Sequence, residues 1–245
     1  VNPKSILIAT VALFAMCILT FADEGVPRET RNIEGWSVRI HRKLLEQDAA
    51  ATARALELLT VQLREIKHTV PAAAVAHLQK VPLWISPEYP GVQPRAEYHP
   101  NAGWLRDHGR DPAMAKGVEF TNVRIFEREV SRMPCFVLHE LAHSFHDQVL
   151  GFENPEIEAT YQHAKASGSY DHVERHNGEG RPNTFNRAYA MTNAKEYFAE
   201  NSEAFFGTND FFPFNRDELA KHDPEMFRLL DRLWNSPGST AVRQR

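Results

Sequence analysis

Cysteine is scarce: the 245 residues hold only Cys17 and Cys135. If the first is lost with a leader, no internal disulfide can form, and an exported fold must be held by its core and by any bound metal. Charge of one sign is not in excess, with 28 Lys and Arg against 32 Asp and Glu and a net charge of −4. A nucleic-acid partner is therefore not implied. Internal repeats and low-complexity stretches are also missing. What is present is 42% hydrophobic residues in a chain long enough for a sizeable core, which reads as globular.

Residues 1–22 carry one lysine, Lys4, then an uncharged stretch from Ser5 to Ala22, with Asp23 and Glu24 immediately after. Thr20 and Ala22 are small residues before a cleavage point after Ala22, so the stretch reads as a secretory signal. The protein is then expected outside the cytoplasm, secreted or periplasmic. The apolar run is nearly long enough to span a bilayer, so an uncleaved N-terminal anchor is the alternative, and no other membrane contact is expected. Residues 23–245 are expected to form a single domain.

Hydrophobic periodicity gives a coarse order of elements. Trp36, Val38 and Ile40 alternate as in a strand, and residues 43–68 carry leucines at helical intervals as in one long amphipathic helix. Pro71 opens a second helical piece. Strands are expected over 81–86, 95–99 and 117–122, then over 170–176 and 184–190, with helices after Asn154-Pro155, from Ala194 to Phe206 stopped by Gly207, and after Asp223-Pro224. The class this order supports is α+β.

Residues 132–150, RMPCFVLHELAHSFHDQVL, hold the chemistry and read as one continuous helix, with Ser131 as a possible cap and Gly151 as the stop. At about 100° per residue, His139 and His143 lie one turn apart on one stripe, so both imidazoles can reach a single zinc ion at roughly 2.0–2.1 Å. Glu140 points to the flank of that stripe, where a carboxylate can take a proton from a water activated by the ion. With 12 histidines in the chain, this spacing alone needs a third ligand to support it. Glu196 and Glu200, one turn apart and flanked by Tyr197, Phe198, Phe205 and Phe206, are the strongest candidates, because carboxylates on a buried helix need a partner. Spacing does not choose between them. Cys135 reads as a small buried hydrophobe rather than a reactive thiol. His146, one turn past His143 and next to Asp147, reads as a supporting residue around the ion rather than a ligand.

HELAH followed by Tyr189, Thr192, Asn193, Glu196, Phe198, Ala199 and Glu200 resembles the catalytic domain of anthrax toxin lethal factor and its relatives, a gluzincin branch of the zincin metallopeptidases. The resemblance covers the later part of the chain and is only architectural upstream. It implies a zincin-like fold, with a twisted mixed sheet, the HExxH helix and a mostly helical C-terminal half. It also implies that His139, His143 and Glu196 ligate one catalytic Zn2+, that Glu140 activates the water, that Tyr189 donates a hydrogen bond to the oxyanion or leaving amine, and that Glu200 orients a ligand histidine. By the same likeness, residues 101–105, NAGWL, are the candidate edge for binding an extended substrate. The expected activity is hydrolysis of a peptide or protein substrate, with internal cleavage favoured. The alternatives are a non-catalytic binding module stabilised by zinc, in which Glu140 and Tyr189 would have no use, and a zinc hydrolase of a non-peptide amide.

Overall fold

The chain enters a sheet through a tight hairpin, since Glu34 and Gly35 both adopt left-handed backbone (φ 53° and 101°), the twist a two-residue turn between antiparallel strands requires. It joins β1 (Arg28–Ile33) to β2 (Trp36–His41), which buries Trp36, Val38 and Ile40 on one face. A computed structural model describes residues 27–236, so the expected leader lies outside the described residues. The long helix expected over 43–68 is broken at Asp48 into α1 (Arg42–Gln47) and α2 (Ala49–Thr69). There the backbone leaves the helical region (φ −130°, ψ 35°). Beyond Pro71 comes α3 (Ala72–Leu78).

Three short strands complete the sheet: β3 (Leu83–Ile85), β4 (Ala96–Tyr98) and, after α4 (Ala102–Asp107), β5 (Val118–Phe120). Their order is β1-β2-β3-β5-β4, with β2, β3 and β5 parallel and β4 running antiparallel along the edge. Residues 101–105 are thus not the substrate-facing edge expected of them. Asn101 accepts a hydrogen bond from the Trp104 amide and caps α4, and the free edge belongs to β4 instead.

The second half is mostly helical. The stretch 132–150 is not one continuous helix: α5 (Phe126–Arg132) ends at Met133, α6 (Phe136–Phe145) starts after Cys135, and the last turn widens to π-type over His146–Leu150. Next are α7 (Pro155–Ser167), capped by Asn154, and the antiparallel pair β6 (Val173–Arg175) and β7 (Thr184–Asn186). Both strands are shorter than expected, and Tyr189 sits on a separate 3-10 turn. α8 (Ala194–Phe206), α9 (Arg216–His222) and α10 (Pro224–Asn235) finish the described chain.

One hydrophobic cluster runs from Trp36 to Trp234, joining the inner face of the sheet to α2, α6, α8 and α10. Trp234 closes it, stacked 4.1 Å from Phe145 and 5.8 Å from Phe198. The architecture is α+β around a mixed sheet, with β4 and α6 in contact. Among the described residues no helix is long and apolar enough to cross a membrane.

Candidate metal centre

Local sequence fixes the two helices that build the site. Asn193 accepts hydrogen bonds from the amides of Lys195 and Glu196, which starts α8 and places Glu196 in its first turn. α6 and α8 pack against each other, so Glu196 meets His139 and His143 across the contact. Glu196 Oε2 is 3.1 Å from His139 Nε2 and 3.2 Å from His143 Nε2, and the two nitrogens are 3.1 Å apart. Ligands of a tetrahedral ion at 2.0–2.1 Å lie about 3.3 Å from one another, so this triangle could hold a metal ion.

The donor chemistry fits a cation too. His139 Nδ1 is 2.7 Å from Glu203 Oε1, and a carboxylate partner assigns the ring proton to Nδ1. Nε2 then offers a lone pair toward Glu196 Oε2 and His143 Nε2, an arrangement that is repulsive unless positive charge lies between them. Burial opposes a charged His139 ring, yet hydrogen bonds to Glu196 and Glu203 outweigh it and raise its pKa well above the ordinary value. Burial likewise opposes ionised Glu196, and the two histidines hold its pKa well below the usual carboxylate range.

Glu203 is the residue the sequence reading did not single out. Glu200, expected to orient a ligand histidine, approaches His139 Nδ1 only to 3.8 Å, and the hydrogen bond goes to Glu203 instead. The signal was available in part: positions 196, 200 and 203 form an i, i+4, i+7 stripe of acids on a helix otherwise buried. Which of them faces the ring depends on how α8 is rotated against α6. Behind the ring, burial and the neighbouring Glu203 charge raise the Glu200 pKa well above the ordinary value, and burial pushes Glu203 up to about 7 despite its bond to His139.

Glu140 stands on the open side. The Arg95 carbonyl accepts from the Thr121 amide and the His99 amide donates to the Gly117 carbonyl, so the amides of Ala96 and Tyr98 point away from β5 to the free edge. The Tyr98 amide donates to Glu140 Oε2 at 2.7 Å, tying the carboxylate to the edge strand. Tyr189 is 48% exposed, its ring centroid 6.4 Å from that of His139. Burial, then the Glu196 charge, raises its pKa, so the hydroxyl keeps its proton and can donate. His139, Glu140 and Tyr189 border two adjoining cavities of about 290 and 270 Å³, and Arg95 and Ala96 line both.

The other expected residues lie apart. His146 is fully buried against Phe152 and Phe198, with neither ring nitrogen hydrogen-bonded, so it supports no ligand. Desolvation, followed by the charge of His143, lowers its pKa to about 3 and keeps the ring neutral. Asp147, its expected partner, bonds Tyr98 and Lys116 instead. Cys135 packs against Gly207, where a Cβ would sit 2.5 Å from its Sγ, and burial pushes the thiol up to about 12. Compared with protein-family models, curated proteins and solved structures, the chain matches none.

Proposed function

We propose that the protein is an exported zinc-dependent peptidase with a zincin-like fold, resembling the lethal factor branch. The observation that carries this reading is the triangle of His139 Nε2, His143 Nε2 and Glu196 Oε2, with Glu140 beside it on the open side. Zinc bound there would polarise the scissile carbonyl and acidify the attacking water.

The rest of the chemistry belongs to the chain. Glu140 takes the proton of the attacking water and delivers it to the leaving amine. Tyr189, protonated and partly exposed, donates to the oxygen that gains charge as the carbonyl becomes tetrahedral. Glu203 holds His139 in the tautomer that leaves Nε2 free. The outward backbone groups of Ala96 can pair with an extended chain laid along β4, which favours a peptide or protein substrate over a small amide. A zinc-stabilised binding module would have no need of Glu140 on the open side.

Glu140→Gln should keep one zinc per chain while losing hydrolysis of a mixed peptide pool by about 10²–10⁴-fold. Metal content by atomic absorption, read beside cleavage by mass spectrometry, checks both halves. Full activity in that variant would remove Glu140 from its role, and zinc without cleavage in the unmodified protein would favour the binding module.

A further inference from the structure

The larger charged groups around the site are not all used by the chemistry above. On the His139 side, the cavity of about 290 Å³ is lined by Arg132, Arg175, Asp210 and Phe211 as well as by His139, Glu140 and Tyr189. We propose that this cavity selects an acidic side chain on the residue following the cleaved bond, a statement that rests on the peptidase reading.

Accessible charge decides the sign. Three of the four acids in the lining are covered: the side chains of Glu200 and Asp210 are each 2% exposed, and Glu129 is 17% exposed and bonded to Arg132 at 2.7 Å. The fourth, Glu140, is half-buried, and its Oε2 accepts from the Tyr98 amide. The arginines are less covered, at 29% for Arg132 and 31% for Arg175. Asp210 is already shared between them, 3.3 Å from Arg175 Nε and 3.8 Å from Arg132 Nη1. An incoming ammonium would find Glu200 buried, Asp210 and Glu129 already paired with arginine, and Glu140 alone within reach, on the side where the proposed water is activated.

Arg175 is the better placed of the two. Its guanidinium lies over the Phe211 ring at 4.6 Å and bonds Asp210 through Nε alone. Stacking and that single bond fix its plane, while its two terminal nitrogens donate no hydrogen bond among the described residues. A planar fork presented in this way matches a carboxylate with two parallel bonds.

Strand direction supplies the register. β4 runs from Ala96, which borders both cavities, to Tyr98, which borders only the one on the His143 side. A peptide paired antiparallel, the slightly stronger arrangement, runs from the His143 side to the His139 side. Its residue after the scissile bond then enters the arginine-lined cavity.

The test uses paired peptides, identical but for Glu or Gln at one position on either side of the bond, with the full zinc-loaded chain. After the cleaved bond, Glu should be preferred over Gln in kcat/KM by about tenfold, the scale of a charge-assisted bidentate contact. Arg175→Gln should bring that ratio to about one, and Arg175→Lys, which keeps charge beside Asp210 without the fork, should fall between. No preference, a preference at the preceding position, or a ratio unchanged in Arg175→Gln would overturn the proposal. Calorimetric binding of the same peptides to zinc-loaded Glu140→Gln protein separates the two readings. Tighter binding of the Glu peptide without turnover in the unmodified chain would sink the peptidase and keep the arginine-lined pocket. Equal or absent binding of the pair would sink the pocket.

Discussion

Two buried groups of charge sit on opposite sides of the sheet, and they solve the same problem differently. On the outer face, Glu119 is 1% exposed, yet its oxygens are met by Tyr89 at 2.9 Å, His99 at 3.0 Å and Arg110 at 3.4 Å. Burial opposes its charge, and the bonds from His99, Ser86 and Tyr89 win, lowering its pKa. Behind His139, Glu200 and Glu203 are as deeply buried, at 1% and 0%. Each leaves one carboxylate oxygen with no partner, and both pKa values rise.

Depth alone therefore does not set charge; the count of satisfied lone pairs does. The satisfied cluster braces the segment 99–116 against the sheet. The unsatisfied one sits beside the candidate triangle of His139, His143 and Glu196, and incomplete satisfaction with shifted titration is a common mark of functional sites.

The contrast can be broken by substitution. Removing the satisfied acid should cost most: Glu119→Ala leaves His99 and Arg110 buried without their shared partner, and urea unfolding should show a loss of about 3 kcal/mol. Because the folded pKa of Glu119 lies below 4.5, its contribution is present above pH 4.5 and is lost as pH falls through the folded value. The unmodified protein should therefore lose more stability than Glu119→Ala on acidification below pH 4.5.

Across the sheet the effect should appear in metal affinity rather than in folding. Glu203→Gln should weaken zinc binding by about 10–100-fold, the usual consequence of removing the partner of a ligand histidine. Glu200→Gln should weaken it less, because Glu200 does not bond the ring, and competition with a chromogenic chelator reads the order directly. A larger loss from Glu200→Gln would return the orienting role to the residue the sequence suggested. The smallest effect belongs to Cys135. Its thiol, pushed up to about 12 by burial, stays protonated at pH 8, so iodoacetamide should label it only after denaturation, as intact mass would show.

Local patterns were legible in the letters because their physics is local. His139 and His143 share a stripe through helical spacing, Asn193 and Gly207 bound α8 through capping chemistry, and Trp36, Val38 and Ile40 alternate as a half-buried strand must. Three-residue strands such as β5 were placed only as longer runs, since so few residues carry little periodicity. α9 was missed for the same reason: its seven residues make fewer than two turns, too few to set a pattern. The edge expected over residues 101–105 came from the family resemblance and not from local pattern, and there Asn101 caps a short helix instead.

The sequence by itself determined which side chains ride together on α6 and on α8, since one turn of helix brings residues four apart to one face wherever the helix goes. Only the tertiary structure decided that Glu203 rather than Glu200 meets His139, that β4 supplies the free edge, and that Arg132 and Arg175 share Asp210. Those relations depend on the rotation and distance between packed elements, which the core as a whole sets and no single stretch encodes.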